Sequence, residues 1–438
     1  MHAAALEEDL PLAPSLSLAC ANRASTHEYE RAFMVVTRRP RMATLGGVIF
    51  IVSNVFGSWA LIFPVTPLLV SAVGGSGFAA GGTTGVFMTA TIAAQLATPT
   101  LLRRYDFRPV VVSGCLLLGL PCIALVQWSH DITALMVISA VRGLGFGLVT
   151  VACSALPPHL STSDRLGRAV AAQGMANAAS QTVFLLIGIQ LFRAGGVVAV
   201  SVVATAMAVT AALAALGLPR AMYGAIGAHS DSESTRGVLK RPIALASLAV
   251  VGIAAAYGGL SALVPLVGYP QSTHAGVILA TVGGTVVAGR FVAGHYSHRI
   301  LDRRSTAQIG VVAAIAGTMC FSVAVTSANA AFPVALAGAM AFGFGLGWIQ
   351  NVTLMRTLVS VPPHRVGFAS AAWNISMDAG IGLGATMTGA VADHSGFGIA
   401  HLSSAVIIAL TVALPLAARQ NRSQQHRQVM REVPASRE

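Results

Sequence analysis

Two charged residues stand where charge is expensive. Arg142 lies in the stretch Val-Arg-Gly-Leu-Gly-Phe-Gly-Leu-Val-Thr, residues 141–150, ten residues into an apolar run from Ile132 to Leu156. At 1.5 Å per helical residue that is about 15 Å, the middle of a bilayer core about 30 Å thick. A guanidinium there costs on the order of 3 kcal/mol or more unless a polar cavity or a partner receives it. Asp378, in Ala-Trp-Asn-Ile-Ser-Met-Asp-Ala-Gly, lies ten residues into a run that starts at Phe368, and it is the one Asp or Glu within any apolar run. The chemistry open to such a pair is proton exchange. An isolated carboxylate in a bilayer takes or releases its proton according to whether a cation or a hydrogen-bonding solute stands beside it. For each residue the competing reading is a static polar contact between helices.

Further polar side chains recur in the apolar runs: Asn54, Ser58, Gln95, Gln173, Asn177, Gln350, Asn351 and Asn374, with Trp373 beside the last. Together they are a candidate lining for a mixed aromatic and polar pathway around Arg142 and Asp378. Singly, each is as well explained by an interhelical hydrogen bond worth about 0.6 kcal/mol. No catalytic constellation accompanies them. The chain holds no His-Glu-x-x-His, no Gly-x-Ser-x-Gly and no phosphate-cradling loop ending in Gly-Lys, so no enzyme and no catalytic residue is expected. The five cysteines form no Cys-x-x-Cys pair, and His295 and His298 read as solvated loop residues, so neither a disulfide nor a metal site is expected.

The elements that must position these residues are membrane helices. Of 438 residues 55% are hydrophobic and only 10% charged, with a mean hydropathy of +0.73; soluble domains carry roughly 25% charge. Twelve apolar spans are expected: Thr44–Val70, Phe78–Leu102, Pro109–Trp128, Ile132–Leu156, Ala169–Phe192, Gly195–Leu216, Ile243–Val267, Ala275–Ser297, Ala307–Val325, Ala331–Leu358, Phe368–Val391 and Ala400–Leu416. The net charge of +12 resides in the connections and not in a nucleic-acid-binding face. Connections on one side hold 23 Lys and Arg, against Arg193 alone on the other. By the positive-inside rule both termini lie in the cytoplasm of a cell whose cytoplasmic membrane holds the chain. Arg290 and Arg356 stand near the basic ends of their spans, from which they can snorkel out.

Residues 1–43 read as a polar leader, 218–242 as a linker carrying the only lysine, Lys240, and 418–438 as a basic tail attracted to anionic lipid. The two blocks of six spans, 44–217 and 243–417, repeat one another. At an offset of 201, Phe56-Gly57 matches Tyr257-Gly258 and Pro64 matches Pro265, and Asn177 is the near-counterpart of Asp378. At an offset of 200, Gly143, Gly145 and Gly147 match Gly343, Gly345 and Gly347, small residues that let helices approach closely. The two prolines remove a backbone hydrogen bond and should bend spans 1 and 7.

Twelve spans, a long central connection and two parallel six-helix repeats resemble the major facilitator superfamily of secondary transporters, over about residues 44–417. The Arg142 stretch resembles that family's arginine motif of drug/proton antiporters, with Gly145 and Gly147 at +3 and +5 where the family places glycines at +4 and +6. The family's loop motif, a Gly, an Asp-Arg and a second Gly, aligns with Pro99, Arg103-Arg104 and Asp106, and in the second repeat with Gly294, His298-Arg299 and Leu301. The resemblance implies an all-α membrane protein of twelve transmembrane helices in two pseudo-symmetric bundles, nearest the drug and metabolite efflux branch. It implies transport of a small organic solute by alternating access, a monomer in the bilayer, a proton gradient in place of any cofactor, and Arg104 and Arg299 in gate loops at the cytoplasmic face. Export by antiport is the first expectation. Uptake by symport and a non-transporting sensor on the same fold remain the alternatives.

Overall fold

The computed structural model describes residues 41–156, 163–218, 241–267, 274–295, 306–326, 331–359, 361 and 366–413. Every regular element among them is helical. In order they are α1 (Arg41–Ile62), α2 (Val65–Ala72), α3 (Gly77–Tyr105), α4 (Phe107–Gly119), α5 (Pro121–Trp128), α6 (Ile132–Ser154), α7 (Ser163–Ala215), α8 (Arg241–Leu263), α9 (His274–His295), α10 (Thr306–Thr326), α11 (Ala331–Val359) and α12 (Val366–Ile408), followed by a π-helical turn at Ala409–Ala413. The expected leader, linker and tail fall almost wholly outside the described residues, as does Arg299.

Proline sets the joints inside the first and third passes. Pro64 separates α1 from α2 and Pro121 starts α5, so each of these passes is two helices end to end. Pro265 acts differently from the expected bend, because α8 stops at Leu263, just before it.

Ten helical stretches among the described residues are long and apolar enough to cross a bilayer. Two of them, Ala172–Ala215 and Ala369–Thr411, have 44 and 43 residues, about twice what one crossing needs. A glycine with positive φ turns each back on itself: Gly196 at 65° and Gly396 at 81°. Packing confirms both hairpins. Phe184 and Met207, eleven residues to either side of the Gly195-Gly196 pair, both abut Gly57. Gly380 lies against Val251 while Thr411 lies against Gly252. The ten stretches therefore make twelve passes, as the hydropathy predicts.

The glycine registers of the two repeats do the same mechanical work. A Cβ on Gly143 would strike the Phe87 carbonyl of α3, and one on Gly147 the Thr91 carbonyl. In the second repeat Gly343 and Gly347 stand in the same relation to the Val282 and Val286 carbonyls of α9. Gly145 meets the α4 backbone at Gly114 and Leu118, and Gly345 meets α10 at Gly310 and Ala314. Each of α6 and α11 is thus pressed onto two neighbours at backbone contact, which only a missing side chain permits.

Candidate functional site

The repeats meet along a seam, and among the described residues its closest backbone contacts lie at one end. The end carrying Arg103, Arg104 and Arg108 between α3 and α4 is the basic end. At the opposite end α3 and α12 run antiparallel in backbone contact: Gly77 against Gly389, Gly81 against Ala385, Gly85 against Thr386 and Met88 against Gly382. Asp393 finishes the ladder by accepting from the backbone N–H of Gly77 at 2.6 Å and of Phe78 at 2.8 Å. These are the orphan donors of the α3 N-terminus, where a carboxylate is favoured by both hydrogen bonding and the helix dipole. The first limb of α7 packs on α9 in the same way, Leu186 and Gln190 near Gly276 and Thr182 near Gly283.

Toward the basic end described residues on the same helix faces are exposed. One turn below Asp378 on α12, Asn374 is exposed, its amide turned back to the Ser370 carbonyl at 2.9 Å. On α7 Met175 and Ala179 continue the face of Thr182, and on α9 Val287 continues the face of Gly283; all three are exposed. Among the described residues, then, the seam is packed away from the basic end and exposed toward it.

Asp378 sits where the closed stretch ends. Half-buried, its carboxylate accepts from Gln95 Nε2 of α3 across the seam at 2.7 Å, and Gln95 also reaches Thr150 Oγ1 of α6 at 3.5 Å. The other end of that amide, Gln95 Oε1, is buried with no partner. A carboxylate and an amide can satisfy each other in two ways. The amide N–H donates to the ionised acid, or the acid O–H donates to the amide carbonyl after the amide turns over. The free carbonyl of Gln95 is the acceptor the second arrangement requires.

A second polar chain joins this point from the other repeat. Arg290 Nε of α9 donates to Gln350 Oε1 of α11 at 2.9 Å, and Gln350 Nε2 reaches the Met377 sulfur, next to Asp378, at 3.5 Å. Asn351 donates to the Arg290 carbonyl at 3.0 Å. Across the seam Gln181 of α7 bonds the Tyr257 hydroxyl of α8 at 3.2 Å, and Asn177 Oδ1 of α7 is buried without a partner. Trp373 is buried with its indole N–H on Thr353 at 3.1 Å.

Arg142 is elsewhere. Its Nε donates to the Leu118 carbonyl at 3.2 Å, one terminal nitrogen donates to the Ser58 carbonyl at 3.3 Å, and its guanidinium lies 5.8 Å from the Phe87 ring centre. Leu118 stands at the joint that Pro121 opens between α4 and α5, a place where backbone acceptors are freed from the helix. Arg142 is 3% exposed and every partner belongs to the first repeat. Arg142 and Asp378 do not meet: two backbone carbonyls hold the cation inside the first bundle, and an amide holds the acid at the seam.

Of the other expected lining residues, Asn54 bonds Phe50 and Thr210 on the α1–α7 contact, away from the seam, and Gln173 ties α7 to the Cys153 carbonyl of α6. Gln95 bonds Asp378 directly, Gln350 reaches the adjacent Met377, and Asn374 lies one turn away on the same helix, while Asn351 bonds the Arg290 carbonyl and Trp373 bonds Thr353. Arg104 is exposed at the basic end with its guanidinium 5.2 Å from the Tyr105 ring centre. Arg290, Gln181 and Tyr257 are additions that the sequence reading missed, having placed Arg290 among residues that reach the surface. A signal existed. The register that matches Arg103-Arg104 to His298-Arg299 is 195 residues, and it sets Gln95 opposite Arg290.

Two six-helix repeats packed along a seam lined with polar side chains have the architecture of a secondary transporter. The profile of the Major Facilitator Superfamily matches residues 48–385, and the chain belongs to that family. No curated protein matches it in sequence. Among solved structures it is similar to a point mutant of the nucleoside transporter NupG, at 12% identity and a TM-score of 0.69, covering 86% of this chain and 99% of that one. It is similar also to a bacterial homolog of the human lysosomal transporter Spinster in an inward-facing, unoccupied conformation, at 15% identity and 0.69 over 88% and 98%. A D-xylose-proton symporter matches at 13% identity and 0.66 over 84% and 97%. The chain is a multi-pass membrane transporter of a small solute and not an enzyme.

Proposed function

We propose that the protein is a proton-coupled transporter that exports a small organic solute by antiport, with Asp378 as the proton-carrying group. The observation that carries this reading is the position of Asp378 at the inner limit of the closed seam, bonded to Gln95 at 2.7 Å across it. A group there is a member of the contact that must break when the seam changes its open end. Its bond survives protonation through the spare Gln95 carbonyl, so the proton can be carried through that change. A titratable acid inside the seam, at Asp378, gives proton and solute a shared place, and occupants that displace one another produce exchange. The energy source is the proton gradient and the working unit a monomer. The basic end faces the cytoplasm, as do both termini, in the cytoplasmic membrane.

Arg290 favours a second reading. A cation linked through Gln350 to the surroundings of Asp378 can hold an anionic solute while the acid holds a proton, and simultaneous occupancy would give uptake by symport. Proteoliposomes loaded with a pH dye separate the two. Under antiport, solute movement drives protons the opposite way and Asp378→Asn abolishes proton-driven flux while sparing solute exchange. Protons moving with the solute would establish symport, and binding without flux would establish a sensor. An Asp378→Asn protein that stays fully coupled would remove Asp378 from the mechanism.

A further inference from the structure

Arg142 leaves an electrostatic account open. It is a guanidinium at mid-depth, 3% exposed, and among the described residues no carboxylate bonds it: its acceptors are two neutral carbonyls, and Asp378 is engaged with Gln95. These two carbonyls take two of its five N–H donors and leave its charge uncompensated in a low-dielectric interior, where an opposite charge is worth most. The side chain borders a small cavity with room for about one water-sized body, roughly 10 Å³, bounded by Trp59, Phe63, Thr84, Phe87 and Ser139 among others. All of these belong to α1, α3 and α6 or to the Pro64 joint, and none belongs to the second repeat.

A second feature lies at the same cavity, which the Trp59 side chain lines. The indole N–H of Trp59 is buried and has no hydrogen-bond partner, although the residue is 3% exposed and its ring is stacked on Phe146 at 5.4 Å. A buried donor left unpaired costs about 1–3 kcal/mol, and this one is joined at the cavity by a cation and by the hydroxyls of Thr84 and Ser139, with no acid in the lining. A cavity bordered by donors and a fixed positive charge, and flanked by aromatic rings, suits a small, weakly hydrated anion.

We propose that this cavity is a binding site for a single halide-sized anion, chloride in the cell, held by the Arg142 guanidinium and the Trp59 indole N–H, and separate from the solute site at the seam. The anion completes the first bundle electrostatically and so binds the folded protein in preference to the unfolded chain, which makes stability a direct readout. The full-length protein in detergent is unfolded thermally in sodium chloride, in sodium bromide and in sodium gluconate at matched ionic strength. Chloride and bromide should raise the melting temperature in a saturable way that gluconate does not reproduce. Arg142→Gln should abolish the halide dependence. Trp59→Phe keeps the ring but loses one donor to a charged ligand and should raise the half-saturating chloride concentration roughly tenfold. Equal melting temperatures in chloride and gluconate would assign the cavity to water and overturn the proposal, as would a halide effect that persists unchanged in Trp59→Phe. That variant decides the matter even where Arg142→Gln does not fold.

Discussion

At the scale of residues, the two repeats differ by single substitutions that set their chemistry apart. The 195-residue register pairs Gln95 with Arg290, and the 200-residue register pairs Thr150 with Gln350 and Arg142 with Phe342. The contacts follow these registers: Gln95 approaches Thr150 as Arg290 approaches Gln350. An amide in one repeat and a cation in the other occupy one structural position, so Arg290→Gln replaces the residue by its own counterpart and should leave the fold standing. It should lower kcat/KM for transport by ten- to a hundredfold, the range expected for one lost hydrogen bond to a charged group, with the melting temperature little changed. Reconstituted transport and thermal unfolding of the same preparation check this. A variant that transports normally would make Arg290 structural. Asp378 was legible from sequence because a lone acid in an apolar run is too costly to keep without a role. The partner of Asp378 was not, since hydropathy gives depth along a helix and says nothing of the direction a side chain takes around it. That is also why Arg142 and Asp378, at similar depth, could be expected to meet and do not.

At the scale of elements, glycine decides how closely the helices pack, and its pattern carried most of the fold that the sequence disclosed. The triplets 143, 145, 147 and 343, 345, 347 announced tight helices in both repeats, and both are tight. The reversals at Gly196 and Gly396 lie 200 residues apart and have positive φ in each repeat. Hydropathy placed breaks in those regions without revealing that the helical runs continue up to a glycine on either side. Backbone conformation outlasts residue type at one further place. Asp106, aligned with the second glycine of the family's loop motif, has φ 67°, a left-handed conformation that glycine adopts without strain. Since a Cβ on Gly345 would meet the backbone of Gly310 and Ala314, which cannot rotate away, Gly345→Val should destabilise by about 1–3 kcal/mol or more. Gly284, in the middle of α9, has nothing within 4 Å of the same position, and Gly284→Ala should be neutral or slightly stabilising through the helix propensity of alanine. Denaturation of the two variants side by side tests whether contact or glycine content matters.

At the scale of the whole molecule, the proposed alternating access makes the seam a two-state element, and few polar groups among the described residues hold its closed end. Asp393 is the one whose removal leaves packing intact: it is exposed, and its carboxylate binds two N–H groups at the start of α3, where Ser76 already accepts from Ala79. A charge-assisted bond to orphan helix donors stabilises by about 1.5–3 kcal/mol, and here it stabilises only the state closed at this end, because the acid and the helix belong to different repeats. Asp393→Ala should therefore shift the population toward the opposite state by about tenfold or more. In that state the basic ends of α7 and α9 come together. Ala179 and Val287, exposed on faces that are in contact further along at Thr182 and Gly283, then approach each other. A cysteine pair at 179 and 287, in a background without the native cysteines, should react slowly with a short bifunctional maleimide in the parent and faster once Asp393→Ala is added. Unchanged cross-linking would mean that glycine packing alone keeps the seam shut and that Asp393 serves only as a helix cap.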